Sequence, residues 1–222
     1  MDPRPGVSGL MVQADAAKLP FADRKFAGIV SNHSLEHIHD YRSALREIGR
    51  VIAKNGALVV SVPDASTFTD RLYRWLSQGG GHVNAFTDAD ALAAEIAELT
   101  GLPCVARRTL YSSLSFLNRA NSPRPIPKRL WLLGGGYEWT LLLYNWLSRR
   151  IDRRFGLRSS IYGWALYFGS ISETIDTRAW SNVCLRCGSG DPAESLQAIE
   201  KELVSGYRCR SCGCRNPYCG DL

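Results

Sequence analysis

The sequence predicts an α/β fold with a parallel sheet, a helical insertion, and a small metal-dependent module at the carboxyl end. Three observations predict it. Apolar runs of strand length alternate with helical segments as far as Leu99, the pattern of parallel strands joined by crossover helices. The stretch from Arg119 to Ser159 then changes composition, to proline, tryptophan and arginine. Six of the seven cysteines fall after Ala179, four of them in two Cys-x-x-Cys pairs, which is ligand spacing and not a secreted disulfide framework. A chain of 222 residues can bury a full core. Its 45% apolar and 22% charged residues exclude global disorder.

The elements follow in order. Gly9 to Ala14 is a short apolar strand candidate ending at Asp15. Phe26 to Ser31 is a second, flanked by charged residues and by Asn32. Leu45, Ile48, Val51 and Ile52 follow helical spacing, which predicts a helix over Tyr41–Ala53, capped by Asp40 and stopped by Asn55-Gly56. Ala57 to Val62 is a continuous apolar run ended by Pro63, as expected of a strand covered on both faces. Phe68 to Leu76 is amphipathic and aromatic. Asp88 to Leu99 is a helix with Thr87 or Asp88 as cap and Gly101 as terminator. Val105–Ser113 and Ser160–Gly169 are strands, the second dense in aromatic residues. Between them, Ser122 to Lys128 is turn-rich, Tyr137 to Leu147 is an apolar helix candidate, and Arg149, Arg150, Arg153 and Arg154 follow.

Asp15-Ala-Ala-Lys-Leu-Pro-Phe21, the Phe26 strand, Leu35-Glu36-His37, the Tyr41 helix and the strand ending at Pro63 occur in an order that resembles class I S-adenosylmethionine-dependent methyltransferases. The resemblance covers Leu10 to Leu117 well and Ser160 to Gly169 more loosely. It implies a Rossmann-like sheet whose last two strands form an antiparallel hairpin at one edge, and S-adenosylmethionine as cofactor. Ligands of open parallel sheets sit outside the carboxyl ends of the strands. The resemblance therefore implies that Asp15 and Ala16 receive the adenine, that Leu19 and Phe21 wall it, and that Asn32 and His33 lie beside the methyl donor. The other reading of Asp15 is a turn cap. His37 is read as a hydrogen-bonded scaffold residue or a catalytic one, and His39 as exposed. His33, Glu36 and His37 lack the His-Glu-x-x-His spacing of a zinc helix, so no metal is assigned to them. Asp2 matches the family's ribose-binding acid, or is an untethered terminal residue.

The resembling pattern normally begins earlier, with a glycine-rich cofactor loop. No Gly-x-Gly-x-Gly occurs in this sequence, and Gly79–Gly81 and Gly134–Gly136 do not open a βα unit. The expectation is a partial sheet lacking its first strands. The expected origins are an understated start site, a fragment of a longer protein, or a degenerate relative.

On the acceptor side, Gly81-His82 and Phe86 resemble a stretch that faces the acceptor pocket in related enzymes. His82 is a candidate base, since imidazole titrates near neutrality, or a positioning residue. The implied acceptor is a small molecule, a lipid or a glycan intermediate. Trp131 to Arg154 has three readings: an insertion packed on the sheet edge, a lid over an apolar acceptor, or a peripheral membrane helix. The first comes foremost.

Cys184, Cys187, Cys209 and Cys212 form two Cys-x-x-Cys-Gly knuckles about twenty residues apart, the signal of a zinc ribbon with four thiolates and no open position. The implied ion is structural Zn2+, holding a module of about forty residues that lacks a core of its own. Cys214 and Cys219 are extra ligands or free thiols. The domains are then 1–178, methyltransferase-like with an insertion at about 119–159, and 179–222, the ribbon. The charge of +6 is a weak pointer to phosphates or anionic membranes. The ribbon carries few aromatics, so nucleic acid is not favoured as a partner. Two alternatives stand beside the small-molecule enzyme: a non-catalytic scaffold that binds a partner through its ribbon, and an RNA methyltransferase. The cysteine placement implies a cytoplasmic location, and the membrane reading would put the protein at the inner face of the membrane.

Overall fold

The computed structural model describes residues 11–76, 81–111, 138–171, 181–183, 190–192, 206–213 and 215–217. Asp2, Cys184, Cys187, Cys214, Cys219, Gly79, Gly80 and the stretch 112–137 lie outside the described residues. The elements are β1 (Phe26–Asn32), a 3-10 turn (Leu35–His37), α1 (Tyr41–Val51), β2 (Ile52–Pro63), α2 (Phe68–Leu76), α3 (Ala89–Thr100), β3 (Cys104–Tyr111), α4 (Glu138–Phe155) and β4 (Ile161–Gly169). Four short strands follow: β5 (Ser181–Val183), β6 (Gly190–Pro192), β7 (Gly206–Arg208) and β8 (Arg215–Pro217).

The fold is α/β with a mixed four-stranded sheet in the order β1-β2-β4-β3. β1 and β2 are parallel, joined through α1, with Ile29 opposite Leu58 and Asn32 opposite Ser61. β4 runs antiparallel to both β2 and β3, so β3 and β4 form the edge hairpin that the sequence implied.

Local chemistry sets the helix ends. The Asp40 carboxylate accepts from the Ser43 N–H at 3.0 Å and starts α1. Asp88 accepts from the N–H groups of Asp90 and Ala91 and starts α3. Gly101, at φ 73°, ends α3 in the left-handed region that glycine tolerates. α1 stops at Val51, earlier than the Asn55-Gly56 signal, because Ile52 already pairs with Phe26 in the sheet. α4 runs past Leu147 to Phe155 and takes all four arginines into the helix. Residues 11–14 of the Gly9–Ala14 candidate form no strand. A strand exists only by pairing, and none of the described residues pairs with them.

The core lies between the sheet and the α1–α3 pair. Leu45, Leu58, Val60, Ile96, Leu166 and Phe168 are completely buried there. Each such side chain contributes on the order of 1.5–3 kcal/mol. β2 departs from the both-faces expectation. Leu58, Val60 and Val62 are buried against the helices, while Ala57 and Val59 on the other face are half-buried. Val30, beside Val59, is 72% exposed.

Candidate functional site

The carboxyl ends of β1 and β2 and the start of β4 converge, because β4 runs antiparallel to β2 and pairs Gly163 with Pro63. β1 ends in a sharp corner. His33 sits at φ 49°, uncommon for a side-chain-bearing residue, and its N–H donates to the Ser61 carbonyl at 3.0 Å. Ser61 Oγ donates to Asn32 Oδ1, which fixes the Asn32 amide at the strand end.

The 3-10 turn that follows buries Leu35 and Glu36. A second segment straps it down. The N–H groups of Val83 and Asn84 both donate to the Glu36 carbonyl, and the Asn84 amide donates to the carbonyls of Leu35 and Ile38. His37 Nδ1 lies 2.9 Å from the Gly81 carbonyl. A carbonyl only accepts, so that nitrogen carries the proton and Nε2 keeps its lone pair. Gly81 sits at φ 74°, which lets its carbonyl reach His37.

α2 completes the cluster. Asp70 is fully buried, with one oxygen accepting from Arg74 Nε. Its other oxygen stands 3.5 Å from Nδ1 of His82, whose side chain is 3% exposed. Tyr73 lies against the His82 ring, and His37 meets it edge-on at 4.8 Å between centroids. Tyr162 stacks beside His33 at 5.1 Å. Burial pushes the Tyr162 phenol well above its ordinary range, helped by Glu36, Asp70 and Tyr73. Burial also lowers the His82 imidazole against the opposing pull of Asp70 and Glu36, which favours the neutral ring.

Five buried side-chain atoms of this cluster have no hydrogen-bond partner among the described residues: His33 Nδ1, both oxygens of Glu36, Asp70 Oδ1 and His82 Nδ1. Glu36 Oε1 stands 3.7 Å from His33 Nδ1, beyond hydrogen-bond reach. Such a concentration of orphaned polar atoms is rare away from functional positions.

The sequence candidates thus divide. Asn32, His33 and His82 are brought to one end of the sheet, with His33 and His82 on either side of Glu36. The Asp15–Phe21 segment is held elsewhere. The Asp15 carboxylate is exposed and accepts from the Ala17 N–H at 2.9 Å, closing its own turn. Ala16 lies inside that turn. The Leu19 N–H donates to Glu47, and Arg50 donates to the carbonyls of Leu19 and Phe21. This clamp sits near the end of α1 that leads into β2, opposite the end that carries Asn32. His37 is bonded as the scaffold reading expects, and His39 is exposed. The sequence reading missed Asp70, Tyr73 and Tyr162. No local pattern marks them, because two elements far apart in sequence, α2 and β4, supply them.

Asp2, Cys184 and Cys187 fall outside the described residues. Cys209 is buried, with Cys212 packed on it, in the turn between β7 and β8. The Gly213 N–H donates to the Cys209 carbonyl at 2.8 Å, closing the knuckle.

Residues 1–106 match a family model described as a methyltransferase domain, the class that the sequence resemblance implied. Among curated proteins, the demethylmenaquinone methyltransferase of Mycobacterium marinum is 29% identical over 136 residues, 52% of this chain and 58% of that protein. The corresponding enzyme of Corynebacterium efficiens is 43% identical over 51 residues, 23% of this chain and 22% of that one. The malonyl-[acyl-carrier protein] O-methyltransferase of Hahella chejuensis is 31% identical over 106 residues, covering 47% and 38%. These matches thus cover between 22% and 58% of the relatives' own lengths. Among solved structures, the YcgJ protein of Bacillus subtilis aligns with TM-score 0.43 at 21% identity, covering 71% of this chain and 69% of that one. The [4+2]-cyclase SpnF aligns with TM-score 0.42 at 18% identity, covering 70% and 54%.

Proposed function

We propose that this chain binds S-adenosylmethionine at the carboxyl ends of β1 and β2 and serves methyl transfer to a small-molecule or lipid acceptor. The match of residues 1–106 to a methyltransferase domain carries the reading. The relatives' names, demethylmenaquinone methyltransferase and malonyl-[acyl-carrier protein] O-methyltransferase, support acceptors of that kind. The cofactor supplies an electrophilic methyl group on sulfonium, so the protein's task is to bind, align and exclude water.

The residues present fit that task. Asn32 is pinned by Ser61 through its oxygen, which leaves its amide N–H groups for a ligand. His33 Nδ1 is buried beside it and unpartnered. For Asp15 and Ala16 to receive the adenine, with Leu19 bordering it, the clamp that Glu47 and Arg50 place on this segment must open when the cofactor binds; Asp2 is the proposed ribose acid. In the metal-free protein His82 stands on the acceptor side as a neutral imidazole able to accept a proton. Calorimetry on the full chain with adenosylhomocysteine tests this. Saturable binding that Asn32→Ala weakens about tenfold or more is expected. Folded protein that gives no heat overturns it.

The same reading gives the cysteine end a structural Zn2+ held by Cys184, Cys187, Cys209 and Cys212. Its support is the matched pair of hairpins. Val183 pairs with Gly190 and Arg208 with Arg215, so in both antiparallel pairs six residues of sequence, with a Cys-x-x-Cys among them, separate the strands. One equivalent of zinc that is lost on Cys209→Ser is the expected analysis.

The membrane contact of the helical segment is part of the proposal too. Leu143 and Leu147 are exposed on α4, along with Arg150 and Arg154, the composition of an interfacial helix. Among the described residues no helix is long and apolar enough to cross a membrane.

A further inference from the structure

The carboxylate of Glu36 poses a physical problem. It is 1% exposed, and neither oxygen has a hydrogen-bond donor among the described residues. Imidazoles border it, with His33 Nδ1 3.7 Å from Oε1. A buried carboxylate without partners is among the costliest arrangements a fold can hold. Arg74 is bonded to Asp70 and leaves Glu36 without a cation. The chain's four histidines include three that border this carboxylate: His33, His37 and His82.

We propose that Glu36, His37 and His82 bind a divalent first-row transition-metal ion, such as zinc. One ligand atom from each of the three lies within 4.8 Å of the others. Around a single ion at about 2.0–2.2 Å, neighbouring ligand atoms stand about 3.3 Å apart. Closing on the ion therefore asks for side-chain adjustments of about an ångström. Two nitrogens and one carboxylate oxygen form the donor set that suits zinc, iron or manganese and leaves positions open for water or an anionic oxygen.

The surroundings fit as well. His37 already donates through Nδ1 to the Gly81 carbonyl, the hydrogen bond that orients a metal-binding imidazole and directs Nε2 to the ion. Asp70, 3.5 Å from His82 and anchored by Arg74, stands where a carboxylate steadies the second imidazole. The backbone bonds from Val83 and Asn84 to the Glu36 carbonyl hold the two ligand-bearing segments together without any metal. The ion would supply the positive charge that Glu36 lacks. This site is distinct from the cysteine hairpins in donor chemistry and position, and it does not depend on the methyl-transfer reading.

Cobalt(II) added to chelator-stripped full-length protein tests the proposal without any methyl donor. The expected result is paramagnetic shifting or broadening of the His37 and His82 ring resonances once the cysteine hairpins are filled, with His39 sharp. Cobalt d–d absorption that Glu36→Gln removes, over and above any thiolate charge-transfer band of the hairpins, should accompany it. Both signals should persist in Cys209→Ser, which separates this site from thiolate binding. Glu36→Gln and His82→Ala should each weaken binding by about a hundredfold or more. Because His82→Ala also opens a cavity, Glu36→Gln, which keeps the shape, is the deciding variant. Unchanged His37 and His82 resonances at excess cobalt, or equal affinity in Glu36→Gln, would overturn the proposal.

Discussion

Leu45, Leu58, Val60 and Ile96, between the sheet and the α1–α3 pair, are entirely buried and belong to one hydrophobic cluster. At the carboxyl end of the same sheet, Glu36 and Asp70 are buried as deeply, yet three of their four carboxylate oxygens lack a hydrogen bond. The first interior is the source of stability and the second subtracts from it. A fold retains such a cost where a ligand or an ion offsets it, and local rules are broken chiefly at working sites. The comparison makes a direct demand on stability. Leu58→Ala should lower the unfolding free energy by about 2–5 kcal/mol, as core truncations do, read from urea denaturation. A loss below about 1 kcal/mol would mean that the helix-covered face is not the stable half.

A satisfied polar site sharpens the contrast. Asp152, on α4, accepts from the N–H and hydroxyl groups of both Ser159 and Ser160, tying the helix to the start of β4. Burial pushes its carboxyl pKa up, but these four bonds outweigh it and leave the pKa below the usual range. Asp152→Ala should cost about 1–3 kcal/mol and free α4, visible as faster amide exchange over the helix. The cap at Asp88 is smaller. Asp88→Ala should cost about 1 kcal/mol in the same denaturation assay, with Asp88→Asn close to wild type.

The division between local and assembled features also governs what could be read from the sequence. β1, α1 and α3 were legible, because periodicity, the Asp40 and Asp88 caps and Gly101 are all local signals, while the edge hairpin was implied by the family resemblance alone. α1 and α4 differed at their ends for reasons of pairing and length that no short window contains. The Gly9–Ala14 segment is strand-like by composition, and a strand is defined by a neighbour. At the site, Asn32, His33 and His82 were found from motifs. The grouping of Glu36, His37 and His82 was not, because the spacing rule for zinc helices tests one helix face, and here the third group comes from 45 residues further along. Asp70 and Tyr162 carried no signal at all. The cysteine pairs stand at the other extreme, since four residues of sequence contain each knuckle.

Glu36→Gln tests the comparison from the opposite side. In chelator it removes a charge that has no partner, so the melting temperature should hold or rise slightly, where every core truncation lowers it. With zinc present the wild type should gain more stability by mass action than the variant, which keeps only the cysteine site. A Glu36→Gln protein that melts well below wild type in chelator would show that the carboxylate supports the fold by itself.

The smallest effect belongs to the clamp that holds the Asp15–Phe21 segment on α1. Bonds from Arg50, then from the Leu19 N–H, lower the Glu47 carboxyl from 4.5 to about 2. A carboxyl whose pKa is depressed in the folded state stabilises above its unfolded value and loses that contribution as the pH falls. The clamp should therefore be complete above about pH 4.5 and weaken progressively toward pH 2. The pair faces solvent, so added salt should screen it and global stability should change little. The sensitive readout is the Leu19 amide proton, which donates to Glu47 at 2.8 Å. Its chemical shift should titrate with a midpoint near 2, and the titration should vanish in Glu47→Gln. A midpoint at the ordinary carboxylate value would mean that Leu19 and Phe21 are not tied to α1 in solution, and the segment would then be free to reach the end of the sheet where Asn32 lies.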